Sequence, residues 1–114
     1  MRFTRNKFHV APKAARTIGE RTYASKAEMI YAQQLAADPT ITEVVEQPRV
    51  KLGEDTFYRP DFLVIRDGDN HYVDVKGMET AEFKRNKKLW AKYGRLPLWI
   101  VKGGKVVEII ERTQ

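Results

Sequence analysis

Cysteine is absent from the 114 residues, which excludes disulfides, a thiol nucleophile and any zinc site built on thiolates. Only two histidines occur, His9 and His71, too few for a histidine-rich metal centre. No apolar run approaches the ~18 residues that suggest a membrane-spanning helix. Acid is almost missing from the first 26 positions, where Glu20 stands alone against Arg2, Arg5, Lys7, Lys13, Arg16, Arg21 and Lys26. The rest of the chain is balanced, so the whole formal charge of +6 arises in this segment. Hydrophobic residues make up 42% and mean hydropathy is −0.55, a composition that points away from wholesale disorder and from a membrane protein. The length suits one core and leaves no room for a second.

Phe3, Phe8 and His9 are interleaved with the basic residues of the N-terminal segment. Such an arm can follow a phosphate backbone while its rings stack on bases; the bland alternative is a solvated basic tail. We read residues 1–24 as this arm and 25–114 as a single domain. Ser25-Lys26-Ala27-Glu28 has the form of a capping box, and Met29, Ile30, Ala32, Leu35 and Ala36 give the apolar face of a helix ending near Asp38-Pro39. Residues 42–52 predict a strand interrupted at Pro48. A second strand is predicted over 57–66, then an Asp67-Gly68 hairpin turn, then a third strand over 71–76. A helix over 80–93, with Phe83, Trp90 and Tyr93 assigned to the core, and strands over 98–101 and 105–110 complete an α/β domain with a mixed sheet and flanking helices.

Asp61, Asp74, Lys76 and Glu28 are the residues that can carry chemistry. Asp74 and Lys76 lie two apart on one predicted strand, on the same face and roughly 6–7 Å apart. The hairpin makes this strand a neighbour of the second, on which Asp61 opens the hydrophobic run Phe62-Leu63-Val64-Ile65. Carboxylates brought together repel unless a cation neutralises them, and Mg²⁺ is the hard cation that suits such a cluster while leaving places for water and phosphate. Lys76 can then orient or deprotonate an attacking water, or hold the phosphate. The spacing alone is a loose pattern: Asp69 with Glu82-Phe83-Lys84 matches it too. That copy fails because residues two apart on a helix point to different faces. The version on adjacent strands, with Pro60 preceding Asp61, keeps the geometry.

Pro60-Asp61, then Asp74-Val75-Lys76, with Glu28 on the preceding helix and the order αβββαβ, resembles the PD-(D/E)XK nuclease superfamily. Size and layout look closest to phage and archaeal Holliday junction resolvases and related small phage endonucleases. Gln47-Pro48, Tyr58-Arg59-Pro60-Asp61-Phe62, Asp74-Val75-Lys76-Gly77, Thr80, Phe83 and Lys87 look like one phage-borne branch. The resemblance covers about residues 22–110. It implies a restriction-endonuclease-like core, with Glu28, Asp61 and Asp74 as ligands of Mg²⁺ (Mn²⁺ as a substitute) and Lys76 as the catalytic lysine. Gln47 contacts the metal site or the DNA on this reading, or is polar strand-end surface. Two departures stand out: Asp74 replaces the commoner Glu, and the arm matches no family motif. A resolvase makes paired cuts on four-way or otherwise branched DNA as a homodimer, for which the apolar Val106, Val107, Ile109 and Ile110 offer a surface. The setting implied is the cytoplasm of a bacterial or archaeal host, with a phage as a source of the gene.

Each of these residues has a plainer reading. Glu28 completes a capping box, Asp61 is a turn acid, and Asp74 with Lys76 is a solvated strand pair. Lys84, Arg85, Lys87, Lys88, Lys92 and Arg95 load the second helix with positive charge. We take Lys84, Lys87 and Lys88 as DNA-binding together with Arg2, Arg5, Lys7, Lys13 and Arg16, although such stripes also serve solubility alone. His71 reads as a hairpin residue. The rival functions are another endonuclease of the superfamily acting on linear DNA, since fold does not fix substrate, and a nucleic-acid-binding module without catalysis.

Overall fold

The computed structural model describes residues 2–5, 17–18, 21–22, 25–53 and 55–112. Its elements are β1 (Arg2–Arg5), β2 (Thr17–Ile18), β3 (Arg21–Thr22), α1 (Lys26–Ala36), β4 (Ile41–Glu46), β5 (Val50–Leu52), β6 (Thr56–Tyr58), β7 (Phe62–Arg66), β8 (His71–Val75), α2 (Ala81–Tyr93), β9 (Leu98–Lys102) and β10 (Lys105–Ile110). Six strands form the main sheet in the order β1-β4-β7-β8-β9-β10. The chain meanders antiparallel through β4, β7 and β8. It then crosses by way of α2 to β9, which runs parallel to β8, and returns along β10. The fold is therefore α/β, with a mixed central sheet and, among the described residues, two helices. Neither helix is long and apolar enough to cross a membrane.

Strand alternation sets the layers. On β9, Leu98 and Ile100 pack with Phe83 and Trp90 of α2, while Val101 and Trp99 pack with Tyr31, Ala32 and Leu35 of α1. Residues one apart on a strand face opposite sides, so the two helices cover opposite faces of the sheet. α1 starts where Ser25 Oγ accepts the amide of Glu28 at 3.0 Å. It stops at Ala37, after which the Asp38 carboxylate accepts Thr40 N at 2.9 Å and turns the chain into β4. Thr80 caps α2 in the same manner, accepting Phe83 N at 3.1 Å.

Several details differ from the sequence reading. The strand expected over 42–52 divides into β4 and β5 at Gln47-Pro48, where Gln47 takes the left-handed conformation, φ 52°. The strand expected over 57–66 divides at Arg59-Pro60, because Pro60 has no N–H to give a ladder. The pieces β5 and β6 pair only with each other, as a hairpin outside the main sheet. Tyr93, assigned to the core, is 39% exposed, whereas His71, read as a hairpin residue, is buried and stacked on Trp99 at 3.6 Å. From the basic segment, β1 pairs parallel with β4 and closes one edge of the sheet; Lys7, Lys13 and Arg16 lie outside the described residues.

Gly94, the C-cap of α2, has no room for a side chain. A Cβ there would lie 2.6 Å from Trp90 Cδ1, and Trp90 cannot retreat: it is fully buried and its indole N–H donates to Leu96 O at 2.9 Å. Gly94→Ala is expected to cost about 2 kcal/mol, a fall of roughly 10 °C in thermal midpoint, readable by circular dichroism. Unchanged melting would contradict this packing.

Candidate active site

The antiparallel ladder of β7 and β8 runs Val64↔His71, Leu63↔Tyr72, Phe62↔Val73 and stops. One more step would place Asp61 opposite Asp74. Instead the side chain of Asp61 replaces the missing rung, its Oδ2 accepting the amide of Val75 at 2.7 Å. β8 goes on beyond this opening by pairing with β9, and Lys76 N donates to Val101 O at 2.8 Å. Both aspartates are thus fixed where two strands part. Gln47 is fixed there too, its amide donating to Asp61 O at 2.8 Å. A left-handed backbone at a residue other than glycine is a local cost that the surrounding structure must impose; here it turns the chain at the rim of the site.

Glu28 enters from α1. Its amide serves the cap, but its carboxyl turns inward and is only 2% exposed. The two roles that compete in the sequence are therefore divided between main chain and side chain. Burial, then the charge of Asp61 and a hydrogen bond to it, then the charge of Asp74, push the Glu28 carboxyl up to about 8, with Gln47 opposing by a hydrogen bond. Burial also raises Asp61 to about 6 against the Val75 amide and the Lys76 charge. Asp74, 3% exposed, is raised to about 6 by burial, with Lys76 pulling the other way. Glu28 is pushed up furthest of the three, and its hydrogen bond to Asp61 favours the neutral form of the Glu28 carboxyl.

Lys76 Nζ lies 3.2 Å from Asp74 Oδ1 and 4.1 Å above the centre of the Phe83 ring. The other oxygen, Asp74 Oδ2, is buried without a hydrogen-bond partner among the described residues. A buried carboxylate oxygen left bare is costly and calls for a donor or a cation. No group of three or more acidic or histidine side chains among the described residues is spaced to hold a metal ion by itself. Mg²⁺ does not require one, because it binds through one or two carboxylates and completes its shell with water and phosphate. Asp61 and Asp74 would supply the carboxylates of such a partial shell, with Glu28 beside them.

The other sequence-derived residues lie elsewhere. Lys84 and Lys88 are exposed on α2. Lys87 is engaged: its ammonium meets Glu79 at 2.8 Å and Glu108 at 3.0 Å, so two carboxylates already neutralise it. Arg2 and Arg5 belong to β1. Sequence reasoning passed over Glu46, which ends β4 next to Gln47 and is 1% exposed. It also passed over Phe83, in the first turn of α2, as the seat of the Lys76 ammonium.

No curated protein matches the chain. A family described as a protein of unknown function, DUF1064, matches over residues 7–108. The match takes in Glu28, Gln47, Asp61, Asp74 and Lys76 as well as most of the basic N-terminal segment, and the chain belongs to the DUF1064 family.

Proposed function

We propose that this protein is a Mg²⁺-dependent endonuclease with a restriction-endonuclease-like αβββαβ core, cutting phosphodiester bonds in branched DNA in the manner of a Holliday junction resolvase. One observation carries the reading. Carboxylates from α1, from the start of β7 and from β8 meet at the point where the sheet opens, with Lys76 beside them and Asp74 Oδ2 bare. A protein that only binds nucleic acid gains nothing by burying acids where a phosphate would lie. The order α1-β4-β7-β8-α2-β9 supports the core named, with the β5–β6 hairpin as an insertion.

Asp61 and Asp74 would hold the cation, which when bound supplies Lewis-acid stabilisation of the charge that develops on the phosphate. Lys76, held on Asp74 and the Phe83 ring, presents its ammonium to the phosphate or the attacking water. Burial and mutual charge raise all three carboxyls, so protons compete with the cation for them, and the Mg²⁺ concentration giving half-maximal cleavage should be higher at acid pH than at alkaline pH. Gln47 keeps the Glu28 carboxyl turned toward Asp61.

Paired cuts need two centres, which a two-fold pair of chains supplies. Val106, Val107 and Ile109 are 43%, 57% and 51% exposed on the edge strand β10 and suit such a contact. Ile110, grouped with them on sequence grounds, is buried in the α2-side core instead. The test is cleavage of an end-labelled four-way junction beside a linear duplex of matched sequence, with Mg²⁺ and with chelator. Paired nicks on the junction alone, lost with chelator, are expected. Equal cutting of both would keep the nuclease and discard the resolvase, and binding without cutting under Mg²⁺ or Mn²⁺ would end the catalytic reading.

A further inference from the structure

The β5–β6 hairpin and the far end of α2 enclose a groove of about 580 Å³ that lies apart from the carboxylate centre. Arg49 and Lys51 enter it from the hairpin, Arg95 from the turn after α2, and Arg112 from beyond β10, with Tyr72 and Tyr93 beside them. No acid is among the described residues that line it. Beyond the N-terminal segment the chain has as many acids as bases, so four cations gathered from three stretches of sequence are a segregation that composition does not supply. Charges of one sign held together repel, and a polyanion relieves the repulsion. None of the four forms an ion pair among the described residues, in contrast to Lys87, whose ammonium is spent on Glu79 and Glu108.

The groove is joined to the carboxylate centre by a ring. The Arg49 guanidinium lies 3.8 Å over the Phe57 ring, and Phe57 is 48% exposed at the hairpin. Phe57 also lines a smaller open pocket, about 260 Å³, together with Arg59, Asn86 and Lys76 itself. Lys76, Phe57, Arg49 and the cationic groove therefore follow one another across the surface. A base within a duplex has no free face to offer Phe57, whereas an unpaired base has two.

We propose that the groove carries the phosphate backbone of a single nucleic-acid strand leading from the carboxylate centre, with an unpaired base stacked on Phe57. The direction of the strand rests on the nuclease reading, but binding in the groove does not. The protein thus discriminates in favour of DNA that has a single-stranded arm or an opened branch point.

The test is fluorescence anisotropy with Asp74→Asn as the parent chain, in chelator, using a labelled 20-nucleotide single strand and its duplex over a range of NaCl. Arg49→Glu with Arg95→Glu should weaken single-strand binding at least tenfold and lower the salt slope by about 0.7 per lost phosphate contact. Phe57→Ala should weaken the single strand about tenfold and the duplex less than twofold. Lys84→Glu with Lys88→Glu should change the single strand far less than the groove pair does. Should the double variant fail to fold by circular dichroism, Lys51→Glu on the exposed hairpin repeats the test with one charge. Parent-like binding by the groove variants overturns the proposal, as does an equal loss on both substrates for Phe57→Ala. Displacement of the strand by polyglutamate at equal charge would assign the groove to an acidic protein and overturn it also. Groove-dependent binding with no cleavage by the wild type in Mg²⁺ sinks the nuclease reading and leaves the groove. Junction cleavage by the groove variants at wild-type KM does the reverse.

Discussion

Asp74→Asn is expected to lower junction cleavage on the order of 10²- to 10³-fold while leaving the protein folded and as stable as the wild type or more so. The two halves of that expectation have separate causes. Asp74 Oδ1 is the carboxylate oxygen that fixes the Lys76 ammonium at 3.2 Å, and the bare Oδ2 is the atom best placed to take a cation. Asparagine keeps the size and one acceptor but loses the charge, so both functions weaken together. Stability moves the other way because burial raises the Asp74 carboxyl, which means that its ionised form is disfavoured in the fold. Removing that charge removes the penalty. Cleavage kinetics and thermal melting of the same preparation check the pair of outcomes. A variant that melts early would make lost activity uninformative; one that cuts at the wild-type rate would sink the site.

Glu28→Gln is the second large effect, and its signature is in pH. The Glu28 carboxyl lies near 4.5 when unfolded and about 8 in the fold. Between those values the folded state holds a proton that the unfolded state has released, so wild-type stability falls as pH rises across that window. Asp61 and Asp74, raised from 3.8 to about 6, act in the same direction at its lower end. Glutamine cannot ionise, and its amide can donate to Asp61 as the protonated carboxyl does. The variant should therefore melt with the wild type at pH 5 and several degrees above it at pH 8.5, while cleaving junctions far more slowly. Mg²⁺ should narrow the gap at pH 8.5 by stabilising the wild type, since a ligand that binds only the folded state adds to its stability. Parallel melting curves for the two proteins across pH would show that Glu28 carries no strained charge.

The sequence made α1, β8, α2, β9 and β10 readable, because each has one dominant local signal. Ser25 and Thr80 are caps, and Gly103-Gly104 is a turn with both residues at positive φ. It made the carboxylate set readable because Asp61 and Asp74 are tied by hairpin register, which depends only on counting residues from a turn. The β5–β6 hairpin was not readable. Val50–Leu52 and Thr56–Tyr58, on either side of the turn that Gly53-Glu54-Asp55 predicts, pass for the ends of two longer strands, and only the main-chain break at Gln47 and the missing donor of Pro60 part them from β4 and β7. The cationic groove was invisible for a different reason. Arg49, Lys51, Arg95 and Arg112 form no run and share no helix face, so only the tertiary fold gathers them. The visible runs misdirect: Lys87 sits in the strongest basic stretch, yet its ammonium is already matched by Glu79 and Glu108.

That lysine has a further meaning. Glu79 belongs to the loop that leaves Lys76 for α2, and Glu108 belongs to the sheet's last strand, so one ammonium on α2 clamps a loop beside the site to the far edge of the sheet. Partly exposed ion pairs of this kind weaken as ionic strength rises. Salt therefore acts on this molecule twice: it competes with the protein for the phosphate backbone, and it slackens the clamp on the segment next to Lys76. A loss of activity in salt that outruns the loss of binding would come from the clamp.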